Sequence, residues 1–259
     1  MKCKAFLVVV FLLTISSSLG SYCFSEEFQK DSESSPFVSA TFNFQYDDGN
    51  KEDPELADLF EQFGFTCGFA LYKRKGLNIP FYLSAQDRGF EILAHGTTKM
   101  GTDSELSVND VSNIMTDAKE YLIALGFSIN GWVTPYSVLK DDYQEVCNSK
   151  FEYATTGTLG AFKPNDKRIP CLTKHDSPMN IKRISTDASS LDGLIYAVDV
   201  TIKDGGFTTF YGHHFDNPTE KNNTTRENLT GLLMYLKEKV DSGECLVLPP
   251  REAVRSYFN

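Results

Sequence analysis

Apolar and polar residues follow one another along the chain in blocks that predict strands and helices in turn. Short runs rich in β-branched and aromatic residues are typical of buried strands, whereas apolar residues three and four positions apart are typical of amphipathic helices. The predicted strands cover residues 37–46, 65–71, 89–94, 128–133, 151–155, 181–185, 207–211 and 245–248. The predicted helices begin near residues 53, 107, 141, 191, 229 and 251, and a long polar connection is expected over residues 156–180.

The number and order of these elements predict the fold class. Seven or eight strand–helix units within 259 residues favour one α/β domain over residues 37–259, a single distorted (β/α)-barrel of seven or eight parallel strands. An open doubly wound sheet is the alternative. No glycine-rich phosphate-binding sequence follows any predicted strand, so the sequence gives nucleotide binding no support.

The first 21 residues have a different pattern from the rest of the chain. Lys2 and Lys4 precede an apolar run from Ala5 to Leu13, and small residues follow up to Gly20. This order is typical of a secretory signal peptide. A transmembrane helix needs about 20 apolar residues, so we expect no membrane span here or later. The predicted organisation is a signal peptide over residues 1–21, a polar lead-in over residues 22–36, and a secreted, extracellular or periplasmic protein.

Net charge, cysteine content and glycosylation sequons indicate which partners and which modifications to expect. The net formal charge of −10 disfavours nucleic acid as a partner, because phosphates would be repelled. The five cysteines after the signal are expected to pair in part, with one left over. Three N-x-[ST] sequons mark an exposed polar segment with potential glycosylation, and they begin at Asn222, Asn223 and Asn228.

Residues just past the carboxyl ends of barrel strands converge on one rim. The candidates that the predicted strand ends bring to this rim are Asp47, Asp48, His95, Pro135, Tyr136, Arg183 and His213. Two adjacent carboxylates repel each other unless one binds a cation or a proton, which predicts a metal ligand beside a general base. With the histidines and the arginine, they are the parts of a metal-assisted hydrolase.

The same segments resemble, in order, five motifs of the NodB-type polysaccharide deacetylases, carbohydrate esterase family 4. The similar segments are Phe44-Gln45-Tyr46-Asp47-Asp48-Gly49, Gly89 to Gly96 ending in Ala94-His95-Gly96, Thr134-Pro135-Tyr136, Arg183, and Tyr211-Gly212-His213. The resemblance covers roughly residues 38–253. It implies a hydrolase that removes N-acetyl groups from an amino-sugar polysaccharide, by attack of a metal-bound water on the acetamide.

The resemblance also implies roles for these residues. Asp48 and His95 would be ligands of zinc or another divalent metal. Asp47 would be the general base, His213 the general acid, and Arg183 would orient Asp47. Pro135 and Tyr136 would contact the substrate, with a backbone N–H near Tyr136 helping to hold the oxyanion.

Two positions depart from the family pattern. Lys99 stands where the family carries a second metal-binding histidine, and Val133 stands where it often carries an arginine. Two protein ligands then remain, whereas a catalytic zinc normally has three. Water, His214 or another acid could complete the site. The alternative function is a catalytically impaired, deacetylase-like carbohydrate-binding protein, and a glycosidase with paired carboxylates is a third possibility.

Overall fold

A computed structural model describes residues 40–97, 100, 106–137 and 139–259. The predicted signal peptide, the lead-in, the start of the first strand and Lys99 lie outside the described residues. The strands are β1 Ala40–Asp47, β2 Gly68–Leu71, β3 Glu91–Ala94, β4 Gly131–Val133, β5 Tyr153–Gly160, β6 Ile181–Ser185, β7 Phe207–Gly212, β8 His214–Phe215, β9 Asn223–Thr224 and β10 Cys245–Val247. The helices are α1 Asp53–Gln62, α2 Ile79–Asp87, α3 Val108–Ala124, α4 Asp141–Asn148, α5 Leu191–Asp204, α6 Arg226–Asp241 and α7 Pro250–Phe258.

Strands β1 to β7 form a closed, all-parallel barrel in chain order. The barrel closes because β7 pairs with β1 from Thr41↔Phe207 to Tyr46↔Gly212. Strand β10 flanks it, pairing in parallel with the first residues of β1. The predicted single parallel barrel is therefore confirmed, and the alternative of an open sheet is wrong. Helices on the outside cover the strands, as a parallel sheet requires.

The two faces of the strands have different partners. The outward side chains of β1 are Phe42, Phe44 and Tyr46, and they belong to the larger apolar cluster beneath the helices. The inward set of each strand alternates with the outward set, as the period of two demands. Where this inner set packs with α7 it is apolar, and it consists of Ala70, Leu93, Val133, Tyr153, Ile181 and Phe207. At the carboxyl ends it is polar, and the candidate site lies there.

Three expectations need correction. Strand β5 runs on to Gly160, so the start of the predicted polar connection is strand, with irregular register between Thr155 and Gly157 and between Thr158 and Gly160. Helix α2 was not predicted at all. The expected cysteine pairing is wrong for the described residues, where all four thiols are free: Cys67, Cys147, Cys171 and Cys245. Three of them are buried in the outer apolar layer, where cysteine acts as a small hydrophobe.

Within the described part of the chain, no helix combines the length and the apolar character that crossing a bilayer requires.

Candidate active site

The loop after β1 adopts an unusual backbone that turns two adjacent carboxylates in different directions. Asp48 and Gly49 both have positive φ, 78° and 72°, a conformation that costs a non-glycine residue free energy. The side-chain amide of Asn50 donates to the backbone oxygens of Asp47 (3.1 Å) and His213 (3.3 Å). Asn50 thus joins the ends of β1 and β7, the two strands that close the barrel.

Asp47 is held by a buried arginine. The Nη1 and Nη2 atoms of Arg183 donate to its two carboxylate oxygens at 2.7 and 2.8 Å, a bidentate pair with both residues at most 2% exposed. Burial alone would raise the pKa of Asp47, but the charge and hydrogen bonds of Arg183, together with the charges of His95 and His213, outweigh burial and keep the pKa below its ordinary value. Asp47 is therefore an ionised carboxylate of fixed orientation.

Asp48 and His95 meet in an arrangement that fits a cation. Asp48 Oδ1 lies 3.5 Å from His95 Nε2, and the other ring nitrogen, Nδ1, lies 2.9 Å from the backbone oxygen of Val133. Because that oxygen can only accept, Nδ1 carries the hydrogen, and a neutral ring then presents a lone pair at Nε2. A lone pair facing a carboxylate needs a cation or a proton between them. The two residues therefore fit a divalent metal as a pair of ligands.

A third protein ligand is not found in the part of the chain that the structure describes. No group of three His, Cys, Asp or Glu side chains there is arranged to hold a metal ion. His214, the residue suggested as a replacement, contacts Glu52 (Nδ1–Oε2, 3.4 Å) and Glu220 (Nε2–Oε2, 3.8 Å) instead. Two ligands are fewer than the three typical of catalytic zinc.

His213 forms a second acid–base pair at the rim. Its Nδ1 lies 2.7 Å from Asp187 Oδ2, and Thr224 Oγ1 donates to Asp187 Oδ1 at 2.6 Å. Burial would lower the pKa of His213, but the hydrogen bond that its ring donates to Asp187 and the negative charges of Asp47 and Asp187 raise the pKa above its ordinary value. His213 can therefore carry a proton near neutral pH.

Pro135 and Tyr136 lie in a short 3₁₀ turn directly after β4. Tyr136 has φ of 56° and is 60% exposed, so its ring projects at the rim instead of packing into the core. Both residues line a cavity of about 370 Å³ at the carboxyl ends of the strands. The remaining residues that line this cavity are Asp47, Asp48, Tyr72, His95, Thr97, Ser137, Thr158, Tyr211, His213 and Asn222.

Six of the seven predicted site residues thus line one cavity, and the seventh, Arg183, binds Asp47 beneath it. Their catalytic roles remain predictions. Asp187, the partner of His213, was missed, although it comes two residues after β6 and the same rim argument applies to it. Tyr72 and Tyr211 were missed as well. The glycosidase alternative requires a second carboxylate at the rim. Glu91 does not supply it, because it begins β3 at the opposite end from His95, accepts a hydrogen bond from Arg251 N at 2.6 Å and does not line the cavity.

The closed parallel (β/α)₇ barrel is the NodB-like fold, which solved structures of carbohydrate esterase family 4 share. Solved structures support this assignment at the level of the fold. A family 4 acetyl xylan esterase from Clostridium thermocellum, in complex with a cobalt ion, matches with a TM-score of 0.53 at 11% identity, over 83% of this chain and 90% of its own.

Two further structures have the same fold. The Xyl-CE4 domain of a xylanase from the hindgut metagenome of Trinervitermes trinervoides has a TM-score of 0.50 at 12% identity, covering 84% of this chain and 90% of its own. A family 4 pseudoenzyme from Bacillus anthracis has a TM-score of 0.51 at 11% identity, covering 85% and 66%. No family model matches the sequence, and no curated protein does. The resemblance inferred from the motifs is confirmed as a shared fold.

Proposed function

We propose that this protein is a secreted hydrolase that removes acetyl groups from an N-acetylated amino-sugar polysaccharide. The observation that carries the proposal is a carboxylate and an imidazole that line one cavity, with pKa values shifted in opposite directions. The pKa of Asp47 is lowered and that of His213 is raised. Two titratable groups with such opposed environments are typical of a general base and a general acid.

The proposed reaction uses the two groups in sequence. Asp47, as a carboxylate, accepts a proton from water while the water oxygen bonds to the acetyl carbon. His213, as an imidazolium, donates its proton to the amide nitrogen as the carbon–nitrogen bond breaks. Acetate leaves and a free amine stays on the sugar. A divalent cation at Asp48 and His95, such as zinc, would polarise the acetyl carbonyl and lower the pKa of the attacking water.

Acetate release from N-acetylglucosamine oligomers, measured with metal supplied, tests the proposal. We expect Asp47→Asn and His213→Gln each to lower the rate by about 100-fold or more, the usual range for losing a general base or acid. Asp58→Asn, an exposed position on α1, is the control and should keep the wild-type rate. No acetate from the wild-type protein across several acetylated glycans would refute the hydrolase.

A carbohydrate-binding protein without turnover is the second candidate. The donor set favours it, because the described residues supply only two ligands. The same fold also occurs in the pseudoenzyme from Bacillus anthracis.

Metal content after mild purification discriminates the two candidates. The hydrolase predicts about one zinc or similar ion per chain, lost in Asp48→Ala and in His95→Ala. A metal-free wild-type protein that still binds the glycan would instead identify a binding module. Lys99→His is then predicted to raise metal affinity, if residue 99 faces the pair.

A further inference from the structure

Tyr211 contacts Arg183, the partner of the proposed base, and His213, the proposed acid, and the proposed reaction assigns it no role. It lies on β7 two residues before His213 and lines the cavity. The guanidinium carbon of Arg183 lies 4.2 Å from its ring centre. Its ring also meets the His213 ring edge to face, with centres 5.8 Å apart and planes at 70°. The Tyr211 ring therefore packs against both the arginine that binds the proposed base and the histidine that is the proposed acid.

The Arg183 guanidinium has few other close contacts. Apart from the two short bonds to Asp47, its hydrogen bonds to Gln45 Oε1 and Ser137 Oγ are both 3.4 Å long. Its Nε is buried and has no hydrogen-bond partner among the described residues. The aromatic face is thus a major contact that can keep the guanidinium in one plane and exclude water from it.

The Tyr211 ring is itself fixed by its hydroxyl. Thr158 Oγ1 lies 3.0 Å from the Tyr211 hydroxyl and 3.3 Å from the backbone oxygen of Arg183, and it accepts from Gly160 N at 2.8 Å. The threonine has one hydrogen to give, and a backbone oxygen only accepts, so Thr158 donates to Arg183 and Tyr211 donates to Thr158. The irregular register of β5 places Thr158 at this point.

We propose that Tyr211 is a positioning residue, whose ring holds the Arg183 guanidinium in the plane that orients Asp47 and sets its place relative to His213. The expected effect of Tyr211 on turnover rests on the proposed hydrolase function, whereas its expected effect on the position of Arg183 does not. The aromatic face carries the role, and the hydroxyl only fixes the ring.

Kinetics with acetylated oligomers separate positioning from substrate binding. Tyr211→Leu removes the ring, and we expect kcat to fall at least tenfold while KM changes less than threefold. Tyr211→Phe keeps the ring and should recover most of kcat, as should Thr158→Val. Tyr235→Leu, which removes a half-buried tyrosine ring from α6 outside the barrel, is the matched control and should keep the wild-type kcat and KM. Equal losses in Tyr211→Phe and Tyr211→Leu would overturn the role of the ring.

A spectroscopic measurement needs no activity. In full-length protein labelled with ¹⁵N-arginine, the side-chain signals of Arg183, assigned through Arg183→Lys, should show an upfield ring-current shift from Tyr211. The shift should disappear in Tyr211→Leu and persist in Tyr211→Phe. Unchanged Arg183 signals in folded Tyr211→Leu would overturn the inference. A wild-type protein that shows the shift, loses it in Tyr211→Leu and releases no acetate would support the contact while refuting the hydrolase.

Discussion

Asp53 is a buried carboxyl group with an unusual proton affinity. Its Oδ2 accepts hydrogen bonds from the Tyr82 hydroxyl (2.7 Å) and from the backbone N–H of Asn50 (3.0 Å), so it braces the loop that carries the rim carboxylates. Burial raises its pKa from 3.8 to about 8, against the opposing effect of these hydrogen bonds. At neutral pH the folded protein therefore holds Asp53 mostly protonated.

This raised pKa predicts how stability depends on pH. As the pH rises, the unfolded chain loses the Asp53 proton near pH 4, while the folded chain keeps it until about pH 8. The free energy of unfolding from this group is thus highest below pH 4, falls from pH 4 to pH 8, and is level above. Each unit of pKa difference corresponds to about 1.4 kcal/mol.

Asp53→Asn removes the titration but keeps an oxygen that can accept both hydrogen bonds. We expect the free energy of unfolding of the variant, measured with urea and relative to wild type, to rise steadily between pH 4 and pH 8. Asp58→Asn, exposed on the same helix, should give a difference that stays constant with pH. A constant difference for Asp53→Asn as well would contradict the assigned pKa.

At the scale of elements, the sequence predicts the helices and strands that are marked by local sequence patterns. Ser107 and Asp110 form the capping box that the spacing indicates at the start of α3. Helix α2 shows no clear apolar period, because only Tyr82 and Ala85 of it are buried. Its local signals are Asn78, whose side chain accepts a hydrogen bond from Phe81 N as an N-cap, and Pro80 in the first turn.

Strand β5 was underpredicted because its second half is built by pairing with a neighbour. The residues Thr156-Gly157-Thr158 look like a turn, but β6 pairs with them through two register shifts.

Dependence on distant parts of the chain also limits prediction of the site. The predicted strand ends were enough to identify the rim residues, whereas the hydrogen-bond and packing partners of each rim residue depend on tertiary contacts. The contacts of Tyr211 with Arg183 and Thr158 have no signal in the local sequence.

At the scale of the molecule, the barrel separates chemistry from stability along its axis. The carboxyl ends of the strands carry the titratable rim, and the amino ends carry an apolar plug closed by α7. Glycines at strand starts permit this closure: a Cβ on Gly68 would lie 2.8 Å from Pro250 Cγ. The salt bridges of Glu152 with Arg251 and Arg255 fasten α7 at the same end.

Tyr257 on α7 tests this separation. It is 2% exposed, packs on Phe207, and its hydroxyl lies 3.2 and 3.0 Å from the backbone oxygens of Leu172 and Gly205. Tyr257→Ala should lower the free energy of unfolding by about 3–5 kcal/mol, the range for removing a large buried ring. Tyr257→Phe should cost about 1 kcal/mol through the lost hydrogen bond.

Neither change at Tyr257 should alter glycan affinity or acetate release per folded molecule, measured well below the unfolding transition. Asp48→Asn should do the reverse, lowering acetate release with little change in the free energy of unfolding, because its partly exposed carboxylate lines the cavity at the other end of the barrel. Denaturant unfolding and glycan titration on the same preparations give both quantities for each variant. Loss of binding in folded Tyr257→Ala would mean that the two ends are coupled through the shared strands, since Phe207, which packs on Tyr257, begins the strand that His213 follows.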